Sequence, residues 1–544
     1  MPTINFKGKT AVWNHHLSVP YQILELDSKL SRKGKNNKEN LIIEADNLTA
    51  LKSLLPNYQG RIKCIYIDPP YNLGNENWVY NDNVNSPLIR SWINKTVGVD
   101  DLTRHDKWLC MMTPRLRLLR ELLTDDGVIF ISIDNIELNN LKSLMNEIFL
   151  EENFVGVLIW RKKEGGGQTD DYFVTEHEYI LVYKKSDKFV WLDEKIPQDN
   201  SSFKKKDKDG EYKAVKLAKW GSAARKEDRP TMWFPIIAPD GKKVLPIAPD
   251  GNPGRWRIGK ASMDSLIDNN LIEWVDDSGK WIPYEKIYFD GNEVKVIKER
   301  SIIYDLAFTG TGTKELTKLF GKKDYFENPK PSDLIKYLVT YATDKNDIVL
   351  DAFAGSGTTA HAVMSLNTED GKDRRFILIQ LPEELKKGKP AYVDGYRYVH
   401  QITRDRINKV IDAGKLDIGY SYMKLGPKID AEAILSGKLP SFSELAKYIY
   451  YLSTGTTMTD TSIINQKTFL IGKHKGESIF LLYCQDMNKL REMALTLEWA
   501  EANGITTKGK KIIYAPACYL DDEYMESHNI YFVSIPYSLF EKRT

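Results

Sequence analysis

An acid, two prolines and a tyrosine, Asp68-Pro69-Pro70-Tyr71, directly follow a short apolar run. The run Ile62–Ile67 predicts a buried strand, and the prolines must end it because they have no backbone N–H to donate to a sheet. One carboxylate and one aromatic ring are thereby held in a stiff turn at the carboxyl end of a strand. Open α/β sheets bind their ligands at that edge.

This turn suits the methylation of an exocyclic amino group. The Asp68 carboxylate can accept one hydrogen bond from a planar NH2 group, and the carbonyl of Pro69 can accept a second. Two acceptors draw the nitrogen lone pair out of conjugation and aim it at an electrophilic methyl group. The Tyr71 ring can stack on the base that carries the amine, as pockets for flipped bases require. Taken alone, the motif is also compatible with a plain turn that ends a strand.

A glycine-rich turn follows a second apolar run, and the segment from Asp351 through Phe353 to Thr358 predicts a strand end, a turn and a helix start. Gly355 and Gly357 let the backbone approach a ligand closely, and the first N–H groups of the helix are unpaired. The pattern also fits a dinucleotide fingerprint, so a nicotinamide enzyme is the competing interpretation. Its combination with Asp-Pro-Pro-Tyr favours a methyltransferase.

Composition narrows the class of protein further. A chain of 544 residues has room for two to four domains, and a net charge of +2 shows no global basic excess, so a phosphate-binding surface must be local. The four cysteines form no Cys-x-x-Cys pair and the eight histidines no His-Glu-x-x-His spacing, so we expect a reducing compartment and no metal. With neither a signal peptide nor a membrane-length apolar run, we expect a soluble cytoplasmic protein.

The order of elements predicts an α/β fold with a parallel sheet. Leu41–Asp46 and Arg61–Asp68 are strand-like and flank a helical segment, which is the spacing of a βαβ unit. Between them and the glycine loop, basic residues alternate with Trp and Tyr in a stretch without helical periodicity, which is typical of DNA contact, although each basic cluster alone also fits a solvated face. The predicted division is an arm at 1–40, a catalytic half at 41–185, a target-recognition insertion at 186–327, a cofactor-binding half at 328–427 and a small α/β domain at 428–544.

Together these motifs resemble the β-class amino-methyltransferases of DNA, in which the catalytic motif precedes the S-adenosylmethionine motif. The similarity extends from about Asn40 to Ile411 and is greatest to the modification subunits of type III restriction–modification systems. In that family, Asp-Pro-Pro-Tyr goes with adenine N6, whereas cytosine-N4 enzymes more often begin the motif with Ser. The matching segments are Asp46-Asn47-Leu48, Asp68 to Glu76, Tyr80-Asn81-Asp82, Gly127 to Asp134, His177-Glu178-Tyr179-Ile180, Asn328 to Pro331 and the loop from Asp351.

The resemblance implies a circularly permuted, Rossmann-like fold that depends on S-adenosylmethionine, and it assigns roles by position. Asp68 and Pro69 would hold the target amine, and Tyr71 would stack on the flipped base. Phe353, Gly355 and Gly357 would line the methionine half of the cofactor, with Asp351 supporting the turn. Lys330 matches the position near the cofactor carboxylate, Glu383 the ribose-binding acid (Glu384 is the alternative) and Asp46 the adenine-contacting acid.

The expected function is site-specific methylation of adenine N6 in double-stranded DNA. A solitary methyltransferase, a cytosine-N4 enzyme, an RNA or protein-amide acceptor and a non-catalytic specificity subunit are the alternatives. The family also implies a homodimer and a helicase–nuclease partner. The other glycine patterns, at Gly310–Gly312 and Gly504–Lys511, lack the context of a phosphate loop, so any ATP-driven step would belong to another chain.

Overall fold

The computed structural model describes residues 3–72, 103–165, 172, 174–197, 200–289, 294–429, 439–458, 460–505 and 508–535. Residues 73–76 of the Asp68 to Glu76 match, and the whole of Tyr80-Asn81-Asp82, therefore fall outside the described residues. The chain forms two compact units, one made of residues 1–192 and 300–544 and the other of residues 193–299. None of the helices in the described part combines the length and apolarity needed to cross a membrane.

The N-terminal part of the larger unit supplies six strands, and its longest helix begins at a capping box in which Thr103 and Asp106 bond to each other's backbone N–H. The elements are α1 (Lys9–Trp13), α2 (His15–Ser18), β1 (Gln22–Leu26), β2 (Leu41–Glu44), α3 (Asn47–Tyr58), β3 (Ile62–Ile67), α4 (Arg104–Leu122), β4 (Leu123–Ile133), α5 (Leu138–Phe149), a 3-10 turn (Glu151–Asn153), β5 (Phe154–Arg161) and β6 (His177–Lys184).

The smaller unit is mainly β structure and contains a four-stranded antiparallel sheet in the order β12-β13-β9-β8. A small core around Trp256 and Met263 stabilises it. Its elements are β7 (Glu194–Pro197), β8 (Lys205–Asp207), β9 (Gly210–Lys216), β10 (Ile236–Ile237), β11 (Lys243–Val244), α6 (Lys260–Asp268), β12 (Ile272–Asp277), β13 (Lys280–Tyr288), β14 (Val294–Ile297) and 3-10 turns at Asn200–Ser202, Lys226–Asp228 and Pro230–Met232.

The remainder of the larger unit completes its main sheet and adds a second, four-stranded sheet near the C-terminus. The elements are β15 (Ile302–Ile303), α7 (Thr309–Phe320), α8 (Ser332–Ala342), β16 (Ile348–Asp351), α9 (Thr358–Asp370), β17 (Arg375–Gln380), α10 (Pro390–Val393), α11 (Val399–Gly414), β18 (Ser421–Lys428), α12 (Phe442–Thr454), a 3-10 turn (Thr461–Ile463), β19 (Leu470–His474), β20 (Glu477–Leu481), α13 (Met487–Glu492), α14 (Leu497–Ala502), β21 (Lys511–Ala515), α15 (Asp522–Ser527) and β22 (Ile530–Ser534).

The main sheet has ten strands in the order β1-β18-β2-β17-β16-β3-β4-β6-β5-β15. Its centre, from β18 to β4, is parallel, whereas β6 is antiparallel to both β4 and β5. The central strands are apolar on both faces: Ile65 and Ile67 pack on the side of α3 and α4, and Cys64 and Tyr66 pack on the side of α8 and α9. Helices thus cover both faces, and the α/β class expected from the sequence is confirmed.

The N-terminal segment differs from the polar arm expected at 1–40. It contains α1 and α2, and β1 closes the sheet by pairing antiparallel with β18. Val12 is fully buried and Phe6 nearly so. The apolar residues of this segment are too few to give a periodic signal in the sequence, and they are buried only because α4 and β18, distant along the chain, provide the surface.

Candidate active site

The two motif-bearing strands are neighbours in the sheet. β3 and β16 run parallel, and their register pairs Ile65 with Leu350, so the turns that begin at Asp68 and Asp351 emerge at the same edge. Both turns border one cavity of about 430 Å³. Among the residues singled out from the sequence, those that line it are Asp68, Pro69, Tyr71, Lys330, Asp351, Phe353, Gly355 and Thr358.

The Asp68 carboxylate is held from both sides. One oxygen, Oδ1, accepts a hydrogen bond of 2.7 Å from the Tyr71 hydroxyl, and Oδ2 lies 3.0 Å from the Lys330 ammonium. Burial raises the pKa of Asp68, and the Lys330 charge opposes that rise. The side chain keeps 27% of its surface exposed, so the carboxylate remains open to a ligand in the cavity.

The Tyr71 ring is more buried than a ring that is fully open to stack on a base. Its ring is buried, and its hydroxyl oxygen accepts a hydrogen bond of 2.9 Å from Lys330 while the hydroxyl donates to Asp68. The Lys330 ammonium also lies 5.0 Å from the centre of the ring, within the range of a cation–π contact. Tyr71 therefore orients the Asp68 carboxylate in addition to any contact that it makes with a base.

A second carboxylate, Glu178, completes this end of the cavity. Its Oε2 lies 3.2 Å from Lys330, and its Oε1 accepts a hydrogen bond of 3.0 Å from Lys162. Burial opposes ionisation of Glu178, but the two lysines outweigh it and lower its pKa. For Lys330, burial opposes the charged form, yet Asp68 and Glu178 outweigh it and raise its pKa. Glu178 and Lys330 therefore stabilise each other's charged form.

The motif containing Glu178 matched the family, but sequence reasoning gave this residue no role. The available signal was an acid at the start of the otherwise apolar strand β6, because a charge there must be paired if it is buried. Lys330 was expected near a cofactor carboxylate, and the structure brings it to Asp68 and Glu178.

The glycine loop after β16 is tied down by its own backbone and by neighbouring elements. Asp351 accepts a hydrogen bond of 2.9 Å from the Phe353 N–H and one of 2.5 Å from the Thr359 hydroxyl. Burial raises the pKa of Asp351 to about 7, and these two hydrogen bonds oppose the rise. The Gly355 N–H donates to the Gln380 side chain, at 2.7 Å.

Both glycines of the loop have left-handed backbone conformations, with φ of +51° at Gly355 and +85° at Gly357. A Cβ on Gly355 would lie 3.2 Å from the Phe326 ring, and one on Gly357 would lie 3.1 Å from the Thr403 carbonyl oxygen. Side chains at these positions would therefore be strained and crowded. Gly357 also caps the start of α9.

Four of the predicted residues lie away from the cavity lining. Pro70 accepts a hydrogen bond from Trp108 through its carbonyl, which fixes the turn from behind. Asp46 caps α3 and pairs with Arg115 at 2.9 Å, and the backbone carbonyl of Glu383 accepts from Val399. With Gly357, these residues position neighbouring elements and do not face the cavity directly.

The basic clusters of the smaller unit are largely paired within that unit. Arg225 pairs with Asp250, and Arg255 is buried and donates to the Ala223 carbonyl. Trp256 is fully buried and Arg257 is half-buried, so Arg255 and Trp256 belong to the core of this unit and do not form a surface that could contact DNA. In contrast, Trp220 keeps 70% of its surface exposed.

A family model described as DNA methylase matches residues 62–388, a span that contains both motif-bearing turns. The chain belongs to this DNA methylase family. It is therefore a DNA methyltransferase, and S-adenosylmethionine is its methyl donor, as the sequence predicted.

This DNA methylase is similar to proteins of two kinds of restriction–modification system. The EcoPI Mod subunit of a type III enzyme, from Escherichia phage P1, is 36% identical over 75% of this chain and 68% of that protein. The StyLTI Mod subunit, from Salmonella typhimurium, is 34% identical over 69% of this chain and 57% of that protein. The type II methyltransferase M.KpnI, from Klebsiella pneumoniae, is 35% identical over 68% of this chain and 86% of that protein.

A solved structure, the PvuII DNA methyltransferase (cytosine-N4-specific), shares 10% identity and aligns with a TM-score of 0.34 over 71% of this chain and 97% of that one.

The residues present fit S-adenosylmethionine. The loop from Asp351 presents glycine backbone and the Phe353 ring to the cavity, which suits a thin, partly apolar methionine chain. Behind the loop, the buried Arg406 guanidinium donates to Ser356 Oγ and Thr358 Oγ1 and pairs with Glu315, so the loop is fixed before a ligand arrives. No Cβ occupies the approach at Gly355.

Proposed function

We propose that this DNA methyltransferase acts on adenine N6 in a short recognition sequence of double-stranded DNA, as the modification subunit of a type III restriction–modification system. The observation that carries the proposal is the single cavity bordered by the Asp68 turn and the glycine loop. A planar amine that donates to Asp68 would lie beside a cofactor that rests on the loop. The similarity to two type III Mod subunits supports the choice of system.

In the proposed reaction, S-adenosylmethionine supplies an electrophilic methyl group. Asp68 accepts one hydrogen bond from the adenine amine, the Pro69 carbonyl accepts another, and the Tyr71 ring packs against the extruded base. Catalysis consists of positioning and hydrogen bonding, without a covalent enzyme intermediate. Asp351, Phe353, Gly355 and Thr358 would form the cofactor cradle, and Gly357 would support it from the start of α9.

The remaining proposed cofactor contacts are Lys330 near the methionine carboxylate, Glu383 at the ribose and Asp46 at the adenine. Lys330 lines the cavity, whereas the roles of the other two rest on the family resemblance, which is compatible with the adjacency of strands β2, β17 and β16 in the sheet.

We further propose that the fold is a circularly permuted methyltransferase. The strand with the catalytic turn, β3, precedes the strand with the cofactor turn, β16, in the chain, although the two are neighbours in the sheet. The unit at residues 193–299 would be the target-recognition domain, narrower than the insertion expected at 186–327. A second copy of the chain and a helicase–nuclease subunit are the proposed protein partners.

A solitary, type II-like methyltransferase is the second candidate. It is favoured by the similarity to M.KpnI, which is 35% identical to this chain. The chemistry at Asp68 would be the same in both cases. The N4 amine of cytosine could also donate hydrogen bonds to Asp68 and to the Pro69 carbonyl. The sequencing experiment described next distinguishes a methylated cytosine from a methylated adenine.

The test is single-molecule long-read sequencing of DNA from a methylation-free host that expresses this chain alone. N6-methyladenine at one short sequence would support the proposed reaction and give the recognition site. N4-methylcytosine at one sequence would contradict the adenine assignment. If no base is modified, transfer of a tritiated methyl group to DNA, RNA and protein would identify another acceptor.

A further inference from the structure

Four charged side chains meet at the Asp68 end of the cavity, and they come from four separate segments. Asp68 follows β3, Glu178 is on β6, Lys162 follows β5 and Lys330 precedes α8. Lys330 lies between the carboxylates, 3.0 Å from Asp68 and 3.2 Å from Glu178. Lys162 lies on the far side of Glu178, at 3.0 Å.

The two carboxylates differ in the acceptor capacity that they have left. An ionised carboxylate offers about four lone-pair positions. Glu178 accepts from Lys162 on one oxygen and lies within reach of Lys330 and the Tyr71 hydroxyl on the other, and only 10% of its side chain is exposed. Within the described residues, Asp68 accepts one hydrogen bond on each oxygen, and its side chain is more open to the cavity. Asp68 can therefore accept an incoming amine, whereas Glu178 is occupied by the lysines.

We propose that Glu178 is a positioning residue for methyl transfer: anchored by Lys162, it fixes the Lys330 ammonium against Asp68, so that the Asp68 carboxylate keeps its orientation while the target amine binds. This inference rests on the proposed function and adds a residue to it. Lys330 alone has a long, flexible side chain with strong rotamer entropy, and a second carboxylate on a rigid strand removes that freedom.

The charges around Asp68 predict the sign of two pH effects. The Lys330 ammonium and the Tyr71 hydroxyl lower the pKa of Asp68, whereas the Glu178 carboxylate raises it. The Tyr66 hydroxyl and Asp351, from the same and the neighbouring strand, also interact electrostatically with Asp68. Asp134 and Lys162 line the same cavity. Loss of Glu178 should therefore lower the pKa of Asp68, and loss of Lys330 should raise it.

The experiment compares Glu178→Gln and Lys330→Met with the wild-type chain in methyl transfer to DNA that contains the recognition site. We expect Glu178→Gln to lower kcat roughly tenfold, because a hydrogen-bonded charge is lost, and to leave KM for S-adenosylmethionine unchanged. The acid limb of its pH–rate profile should move to lower pH, and that of Lys330→Met to higher pH. A residue that only supports the fold would not shift the two limbs in opposite directions.

Glu147→Gln is the matched control, because the chain offers a second glutamate–lysine pair of similar burial outside the cavity. Glu147 lies 2.7 Å from Lys9 and keeps 9% of its side chain exposed, against 10% for Glu178. This control should retain the wild-type kcat and acid limb. Glu178→Asp preserves the charge, so it should keep the acid limb in place while kcat falls, and it replaces Glu178→Gln if that variant does not fold in thermal melts.

An acid limb that does not move in Glu178→Gln, or a defect confined to KM for S-adenosylmethionine, would overturn the inference while leaving the proposed function intact. A wild-type chain that methylates protein or RNA but no DNA would overturn the proposed function, and the inference with it. The wild-type assay thus separates the two failures.

Discussion

Asp68 and Asp351 end neighbouring parallel strands and border the same cavity, yet their surroundings are opposite. Asp68 keeps 27% of its side chain exposed and faces the Lys330 ammonium at 3.0 Å. Asp351 is 3% exposed, and in the described part of the chain its partners are the Phe353 N–H and the Thr359 hydroxyl, both neutral. A carboxylate with an ion-pair partner can remain an anion for a substrate, whereas one bonded to its own turn serves to shape that turn.

The largest effect is expected from removing the Asp68 carboxylate, which lines the cavity. Asp68→Ala should lower methyl transfer by on the order of 1,000-fold, because the positioned acceptor for the amine is lost. Binding of S-adenosylmethionine, measured by calorimetry, should survive, since the glycine loop is untouched. The exposed Asp187→Ala serves as the control. Methylation retained in Asp68→Ala would refute the assigned role.

A second change adds a carboxylate on the Asp351 side of the cavity. Gly355→Asp requires a side chain at φ +51° and places a Cβ 3.2 Å from the Phe326 ring, next to the proposed cofactor path. We expect the affinity for S-adenosylmethionine to fall roughly 100-fold through strain and charge burial. Gly355→Ala, which adds only the Cβ, should show a smaller loss. Calorimetry that finds unimpaired binding in Gly355→Asp would argue against the loop as the cofactor site.

The pH dependence of stability provides a test of the buried, neutral surroundings of Asp351. Burial raises its folded-state pKa from 3.8 to about 7, so the folded protein holds a proton that the unfolded chain releases. The stabilisation that comes from this group is complete below pH 3.8 and is lost as the pH rises through about 7. Asp351→Asn should therefore flatten the decline of Tm between pH 5 and pH 8. The same decline in wild type and Asp351→Asn would show that another group causes it.

The smallest expected effect concerns the hydroxyl that supports Asp351. Thr359→Val removes the donor to Asp351 Oδ2 and should lower the free energy of unfolding by about 1–2 kcal/mol in urea titrations. Thr368→Val, on the same helix but exposed, is the matched control and should change little. Equal effects of the two substitutions would mean that the Asp351 bond does not stabilise the turn.

Local rules predicted the turns, whereas the charge network required tertiary structure. Proline chemistry ended β3 before Asp68, and glycine freedom shaped the loop at Gly355, because both depend on neighbouring residues alone. The role of Glu178 depends on β6 lying beside β4, an antiparallel pairing that joins distant segments and that no local pattern specifies.

Composition was also a weak guide to where charged and aromatic residues lie. The basic–aromatic stretch as a whole was expected to contact DNA, but within it Trp256 is in the core of the smaller unit and Arg255 donates to the Ala223 carbonyl. Arginine and tryptophan both carry enough apolar surface to be buried when their polar atoms find partners, so a basic–aromatic pattern alone does not reveal exposure.

The position of β18 between β1 and β2 has a consequence for how the protein is made. Strand β3 gains its neighbour β16 only after residue 351 has been synthesised, and the sheet edge closes only after residue 428. At about 5–20 residues per second, translation from β3 to that point takes on the order of a minute. Each new molecule is therefore exposed to chaperones and proteases with an open, apolar sheet before it can carry out its first reaction.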